Sequence, residues 1–140
     1  MFTIAVCDDD MQERMQEVQI VKNIFSQKEL EAGIEEFQTG QHFLDVLHRV
    51  PYDIVLLDIQ MGEVSGFTLA EELYKITGGE NIIFVSSMEN LVFESIHFRP
   101  FRFVRKSHLE EELTEAVESW IQQNTKTECL EFDETGGVTT

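Results

Sequence analysis

The sequence predicts a doubly wound α/β domain, a five-stranded parallel sheet covered by five helices. Five short apolar runs recur along the 140 residues, and three are nearly continuous Val, Ile, Leu and Phe. Strands read that way when helices cover both faces of a parallel sheet. Between the runs the apolar spacing changes to that of a helix. Most of the runs end on carboxylate, hydroxyl or ammonium side chains, at the edge where open parallel sheets place their sites.

Taken in order, the first strand is 2–7 (FTIAVC), closed by Asp8, Asp9 and Asp10. Met11, Met15, Val18 and Phe25 mark one face of a first helix, which Asp9 or Asp10 can cap. A second strand, 34–37 (IEEF), precedes the Thr39-Gly40 turn and a helix marked by Phe43, Leu47 and Val50. The third strand, 53–57 (DIVLL), ends at Asp58, and after Gly66 a helix is marked by Ala70, Leu73 and Tyr74. The fourth, 82–86 (IIFVS), ends at Ser86-Ser87 and leads to a short helix marked by Leu91, Val92, Ser95 and Ile96. The fifth, 101–105 (FRFVR), ends at Lys106. Leu109, Leu113, Ala116, Val117 and Trp120 then mark a clear fifth helix. Its first turn carries Glu110, Glu111 and Glu112, where the helix dipole favours negative charge. From about Thr125 the pattern breaks into "TKTECLEFDETGGVTT", with only Leu130 and Phe132 apolar together. The folded unit is expected over 1–124, with 125–140 a linker or the truncated start of a further domain.

A formal net charge of -17 disfavours any direct grip on nucleic acid or an anionic membrane, which need clustered Lys and Arg. It suits a protein that binds cations or meets a basic surface. Cys7 and Cys129 fit neither a disulfide framework nor a zinc pattern, and His42, His48, His97 and His108 lack ligand spacing. The opening MFTIAV has no basic segment or apolar stretch long enough for export, so a soluble cytoplasmic location is expected. Phe98, Phe101 and Phe103, interleaved with Arg99, Arg102 and Arg105, suggest a mixed interaction surface on this acidic chain.

The chemistry gathers at the strand ends. Two like charges about 4 Å apart cost roughly 1 kcal/mol in water and roughly 4 at an effective dielectric of about 20. Something must offset the crowding of Asp8, Asp9 and Asp10. If strands one, three, four and five are neighbours, Asp8, Asp9, Asp58, Ser86, Ser87 and Lys106 converge on one edge. Carboxylates from two strand ends then cage a hard divalent cation, and Mg²⁺ fits such a set. Asp10 reads better as a helix cap.

"AVCDDD", "IVLLDIQM" with Gly66 downstream, "FVSS" and "FRFVRK" stand in the order and spacing of response-regulator receiver domains, which the chain resembles over about residues 2–122. The stretch "IIFVSSMENLVFESIHFRPFRFVRKSHLEEEL" is most similar to receivers of LytTR-type transcriptional regulators. The resemblance implies a flavodoxin-like fold of receiver type and a phosphoacceptor role for Asp58, fed by a sensor histidine kinase. It implies that Asp8 and Asp9 hold Mg²⁺, Asp9 more directly, with the Gln60 backbone carbonyl as a further ligand. Ser86 would donate to the phosphoryl group, Lys106 would pair with it, and Phe103 would reorient when Ser86 moves. Homodimerisation on phosphorylation and a LytTR-type DNA-binding domain beyond the tail follow from the same likeness. On this view the chain binds no DNA or membrane itself. Its chemistry is limited to its own phosphorylation and dephosphorylation.

Two departures stand out. Lys106-Ser107 replaces the family's usual Lys-Pro with its cis bond, and Gly62 stands where Pro commonly follows. A cis bond before a non-proline costs roughly 2.5–4 kcal/mol. Two other readings compete. One is a haloacid-dehalogenase-type phosphatase, since Asp8-Asp9-Asp10 contains Asp-x-Asp, although Gln12 and the missing later acidic pair oppose it. The other is a degenerate receiver acting only as a scaffold.

Overall fold

The structure, a computed structural model, describes the backbone of residues 1–135 and the side chains of residues 1–125. Strands β1 (Phe2–Cys7), β2 (Ala32–Phe37), β3 (Ile54–Leu57), β4 (Ile82–Ser86) and β5 (Arg102–Arg105) form one parallel sheet in the order β2-β1-β3-β4-β5. Helices α1 (Met11–Gln27), α2 (Gly40–Val46), α3 (Gly66–Thr77), α4 (Val92–Ile96) and α5 (Leu109–Thr135) follow the strands in turn. The doubly wound α/β fold expected from the sequence is the fold observed.

Alternation along each strand builds two cores. Ile4, Val6, Ile54, Leu56, Ile83 and Val85 face α1 and α5, where Val21, Leu113 and Val117 are fully buried. Ala5, Cys7, Val55, Leu57, Ile82 and Phe84 face the other way, onto Phe43 of α2 and Leu69 and Leu73 of α3. All four residues of β3 are buried, which is why its sequence reads as an unbroken apolar run.

Three expected faces are corrected. Met11 and Met15 are exposed, because the inward arc of α1 is defined by Glu17, Val18, Ile20, Val21, Ile24 and Phe25. At about 100° per residue that arc centres between Glu17 and Val21, so a carboxylate sits where the apolar pattern predicts none. Tyr74 of α3 and Ile96 of α4 also lie exposed, whereas Ser95 is buried and returns its hydroxyl to the Val92 carbonyl at 2.6 Å. Phe98 and Phe103 pack half-buried against the second core and Phe101 against the first, so each ring of the expected mixed patch has one face on the core. Beyond Thr125 the backbone of α5 continues to Thr135, with no Gly or Pro to stop it before Gly136. The side chains of Cys129, Leu130 and Phe132, and Gly136-Gly137, lie outside the described residues.

Candidate functional site

The strand order reverses direction between β1 and β3, and in open α/β sheets ligands bind beyond the strand ends at such a point. Asp8 extends β1 and its backbone N–H donates to the Phe37 carbonyl at 3.1 Å. Asp58 extends β3, with its N–H on the Cys7 carbonyl at 3.0 Å. The ladder therefore sets the two acids side by side, both buried.

Lys106, just past β5, reaches across to them. Its Nζ lies 3.0 Å from Asp58 Oδ2 and 2.9 Å from Asp8 Oδ2, and it also pairs with Glu13 Oε1 of α1. The contact with Asp8 is an ion pair without hydrogen-bond alignment, which leaves Oδ2 with no donor. No described peptide bond is cis, so Lys106-Ser107 is trans and the ammonium still reaches both acids. Burial alone would lower the Lys106 pKa, but Glu13, Asp8 and Asp58 outweigh it and hold the ammonium charged. Burial raises the Asp58 carboxyl, Lys106 offsets part of that and Asp8 adds to it, leaving it at about 6.

Three neighbours brace the two acids. The Gln60 N–H donates to Asp58 Oδ1 at 3.3 Å. Gly66, the first residue of α3, donates its N–H to the Ile59 carbonyl at 2.8 Å. A Cβ on Gly66 would lie 2.2 Å from the Asp58 carbonyl oxygen, so only glycine lets α3 start here. Arg14 hydrogen-bonds the Asp8 carbonyl at 2.8 Å and Glu36 of β2 at 3.0 Å.

The remaining expected residues lie near the same strand ends, with Asp9 outside the carboxylate cluster. Asp10 caps α1, its Oδ1 accepting the Glu13 N–H at 2.9 Å, as the sequence suggested. Asp9 is exposed on the same loop. The three carboxylates whose oxygens lie within 4.8 Å of one another are Asp8, Glu13 and Asp58. Hard oxygen donors with an unsatisfied buried oxygen among them fit a divalent cation. Ser86 is buried at the end of β4, and its Oγ accepts the Met88 N–H at 3.0 Å. Phe103 of β5 is half-buried, opposite Phe84 in register, with ring centroids 6.3 Å apart. The four histidines are exposed.

Glu13 and Glu17 were not among the expected site residues. Glu17 is only 1% exposed, and neither of its oxygens has a donor from the protein. Burial above all, then the hydrogen bond with Asp8 and the Asp8 charge, push it up to about 10. Glu17 therefore keeps a proton at neutral pH, and that proton is what lets it lie against Asp8. Its signal in the sequence was a carboxylate at the centre of an apolar helical arc.

Comparison with known proteins agrees with this fold. The family model described as "Response regulator receiver domain" matches residues 4–118. The chain belongs to the response-regulator receiver family. Receiver domains are signalling modules of two-component systems. Sensory transduction protein LytR of Staphylococcus epidermidis is 24% identical over 91 residues, covering 63% of this chain and 36% of the relative. The chain thus spans little more than a third of that curated relative. Among solved structures, a receiver domain protein from Clostridium thermocellum superposes with a TM-score of 0.72 at 17% identity, covering 91% of this chain and 99% of that one. TrrA of Thermotoga maritima, in complex with Mg²⁺-BeF, gives 0.70 at 24% identity, covering 86% and 99%. Full-length FixJ from B. japonicum gives 0.72 at 23% identity, covering 94% and 64%. At these identities the structural likeness speaks to the fold. Among the described residues no helix is long and apolar enough to cross a membrane.

Proposed function

We propose that this receiver domain accepts a phosphoryl group on Asp58 from a sensor histidine kinase in the cytoplasm. The observation that carries the reading is the buried Asp58 carboxylate, 3.0 Å from the Lys106 ammonium and beside Asp8 at the sheet's switch point. A carboxylate oxygen of Asp58 attacks the donor's phosphorus in line, the bond from phosphorus to the leaving imidazole breaks, and an acyl phosphate remains. Such transfers need positioning and charge neutralisation more than proton transfer. Asp8, Asp9, Asp58 and the Gln60 backbone carbonyl would hold Mg²⁺, which supplies that neutralisation when bound. The Mg²⁺-BeF complex of TrrA supports carrying this chemistry over. Asp9 joins by turning its exposed side chain toward the cluster.

Lys106 neutralises the transferred group from the opposite side. Ser86 releases the Met88 N–H and gives its hydroxyl to the phosphoryl oxygens. Phe103 turns inward into the space this vacates, and that two-state packing biases homodimerisation. The output is transcriptional, through a LytTR-type DNA-binding domain beyond residues 125–140, as the distant LytR similarity suggests.

The test is labelling with a small phosphoryl donor and Mg²⁺. Asp58→Asn is expected to abolish a hydroxylamine-labile label, while Asp10→Asn, which alters only the cap, keeps it. Equal loss in both variants, or rapid turnover dependent on Asp8, would overturn the reading and favour a phosphatase.

A further inference from the structure

The segment Asp10-Met11-Gln12-Glu13 has the form of a capping box, in which the third residue of the helix folds back onto the N-cap N–H. Half of the box is present, since Asp10 Oδ1 accepts the Glu13 N–H at 2.9 Å. The reciprocal half is not. Asp8 Oδ1 has taken the Asp10 N–H, also at 2.9 Å, and the Glu13 carboxylate is released to pair with Lys106.

The Lys106 ammonium consequently touches the same three carboxylates, Asp8, Glu13 and Asp58, whose oxygens are close enough to share a cation. One positive charge stands where a divalent ion would stand, so Lys106 and the ion compete for Asp8 and Asp58. Glu13 differs from the other two. Its side chain is 44% exposed, against 0% for Asp8 and 8% for Asp58, and it projects from the first turn of α1 rather than from a strand end.

We propose that Glu13 is the positioning residue to which Lys106 retreats when Mg²⁺ enters. This inference rests on the phosphoacceptor reading above. Glu13 holds the ammonium at the rim, frees Asp8 and Asp58 for the ion, and keeps Lys106 one short swing from the phosphoryl group. Without Glu13, Lys106 has only Asp8 and Asp58 to pair with and resists displacement. The sequence already expects a metal from the strand-end acids; the new element is a helix acid that tunes the metal by holding a lysine.

A double-mutant cycle on the whole chain, read by calorimetric titration with Mg²⁺ alone, tests this. Lys106→Met is expected to tighten Mg²⁺ binding, and Glu13→Gln to weaken it about tenfold when Lys106 is present. With Lys106→Met in place, Glu13→Gln should weaken binding by no more than about twofold, the residue of a half-exposed charge. A full loss in that background would make Glu13 a metal ligand and overturn the proposal. So would a Glu13→Gln variant that binds Mg²⁺ like the wild type. Because Asp10 bonds the Glu13 backbone, Glu13→Gln keeps its cap, and an unchanged melting temperature verifies that. Wild-type protein that binds no Mg²⁺ would overturn the phosphoacceptor reading together with this one, whereas a cycle without coupling would overturn this one alone.

Discussion

The two ends of the sheet treat buried polar groups in opposite ways. At the amino end the described buried side-chain groups have partners. Asp53 Oδ2 accepts the Thr3 N–H at 2.8 Å, Asn81 Nδ2 donates to the Tyr52 carbonyl at 3.0 Å, and Thr77 Oγ1 donates to Asn81 Oδ1 at 3.0 Å. At the carboxyl end, among the described residues, Asp8 Oδ2 and both oxygens of Glu17 are buried with no aligned protein donor, and Glu17 meets Asp8 only through the proton it keeps itself. Burying an acceptor without a donor costs about 1–3 kcal/mol. The amino end is thus built for stability, and the carboxyl end holds charge that only a cation or a proton completes. Binding anything positive there recovers stability that folding alone leaves unrealised.

The sharpest way to break this contrast is at Gly66. Gly66→Ala drives a methyl group into the Asp58 carbonyl, and is expected to cost roughly 2–4 kcal/mol and to displace the Asp58 carboxylate. Chemical denaturation and phosphoryl labelling should fall together. Retention of both would mean the close approach of α3 is not what positions Asp58.

Glu17 sharpens the contrast through pH. Its carboxyl stands at about 10 in the folded chain against an ordinary 4.5, so the folded state keeps a proton that the unfolded state releases. Stability then falls as pH climbs from 4.5 toward 10, and nothing is lost below 4.5. Glu17→Gln keeps the shape and a donor for Asp8 without a proton to lose. It should stabilise the protein by about 1–3 kcal/mol at pH 8, with the gain fading near pH 4.5. Melting curves across that range would show it, and a gain independent of pH would rule the explanation out.

The smallest effect is expected at the other end. Asn81→Ala removes a satisfied buried amide and should cost about 1–2 kcal/mol while leaving labelling of Asp58 unchanged. A loss of labelling there would show that the two ends are coupled.

The sheet was legible because β1, β3 and β4 are buried on both faces and so read as apolar runs closed by Asp8, Asp58 and Ser86. Asp8, Asp58 and Lys106 were legible as a converging set because strand ends fix where side chains emerge. The helices were less so. Met11 and Met15 have the right period but lie past the edge of the inward arc, and apolarity alone does not tell an arc's edge from its centre. Glu17 was hidden because a carboxylate on a helix ordinarily faces water. Glu13 was hidden because Asp-x-x-Glu reads equally as a capping box, and only the diversion of the Asp10 N–H to Asp8 decides between the two. The continuation of α5 past Thr125 was missed because a polar stretch still propagates a helix when nothing in it breaks one.

Arg14 has a consequence of its own. By gripping the Asp8 carbonyl with one nitrogen and Glu36 with another, it staples the turn after β1 to the edge strand before any ion arrives. Ordering a loose turn would cost about 1–2 kcal/mol of backbone entropy for each residue fixed. With the turn already tied down at its backbone, an ion binding there would meet a formed loop, and its affinity would not be reduced by the cost of ordering that loop.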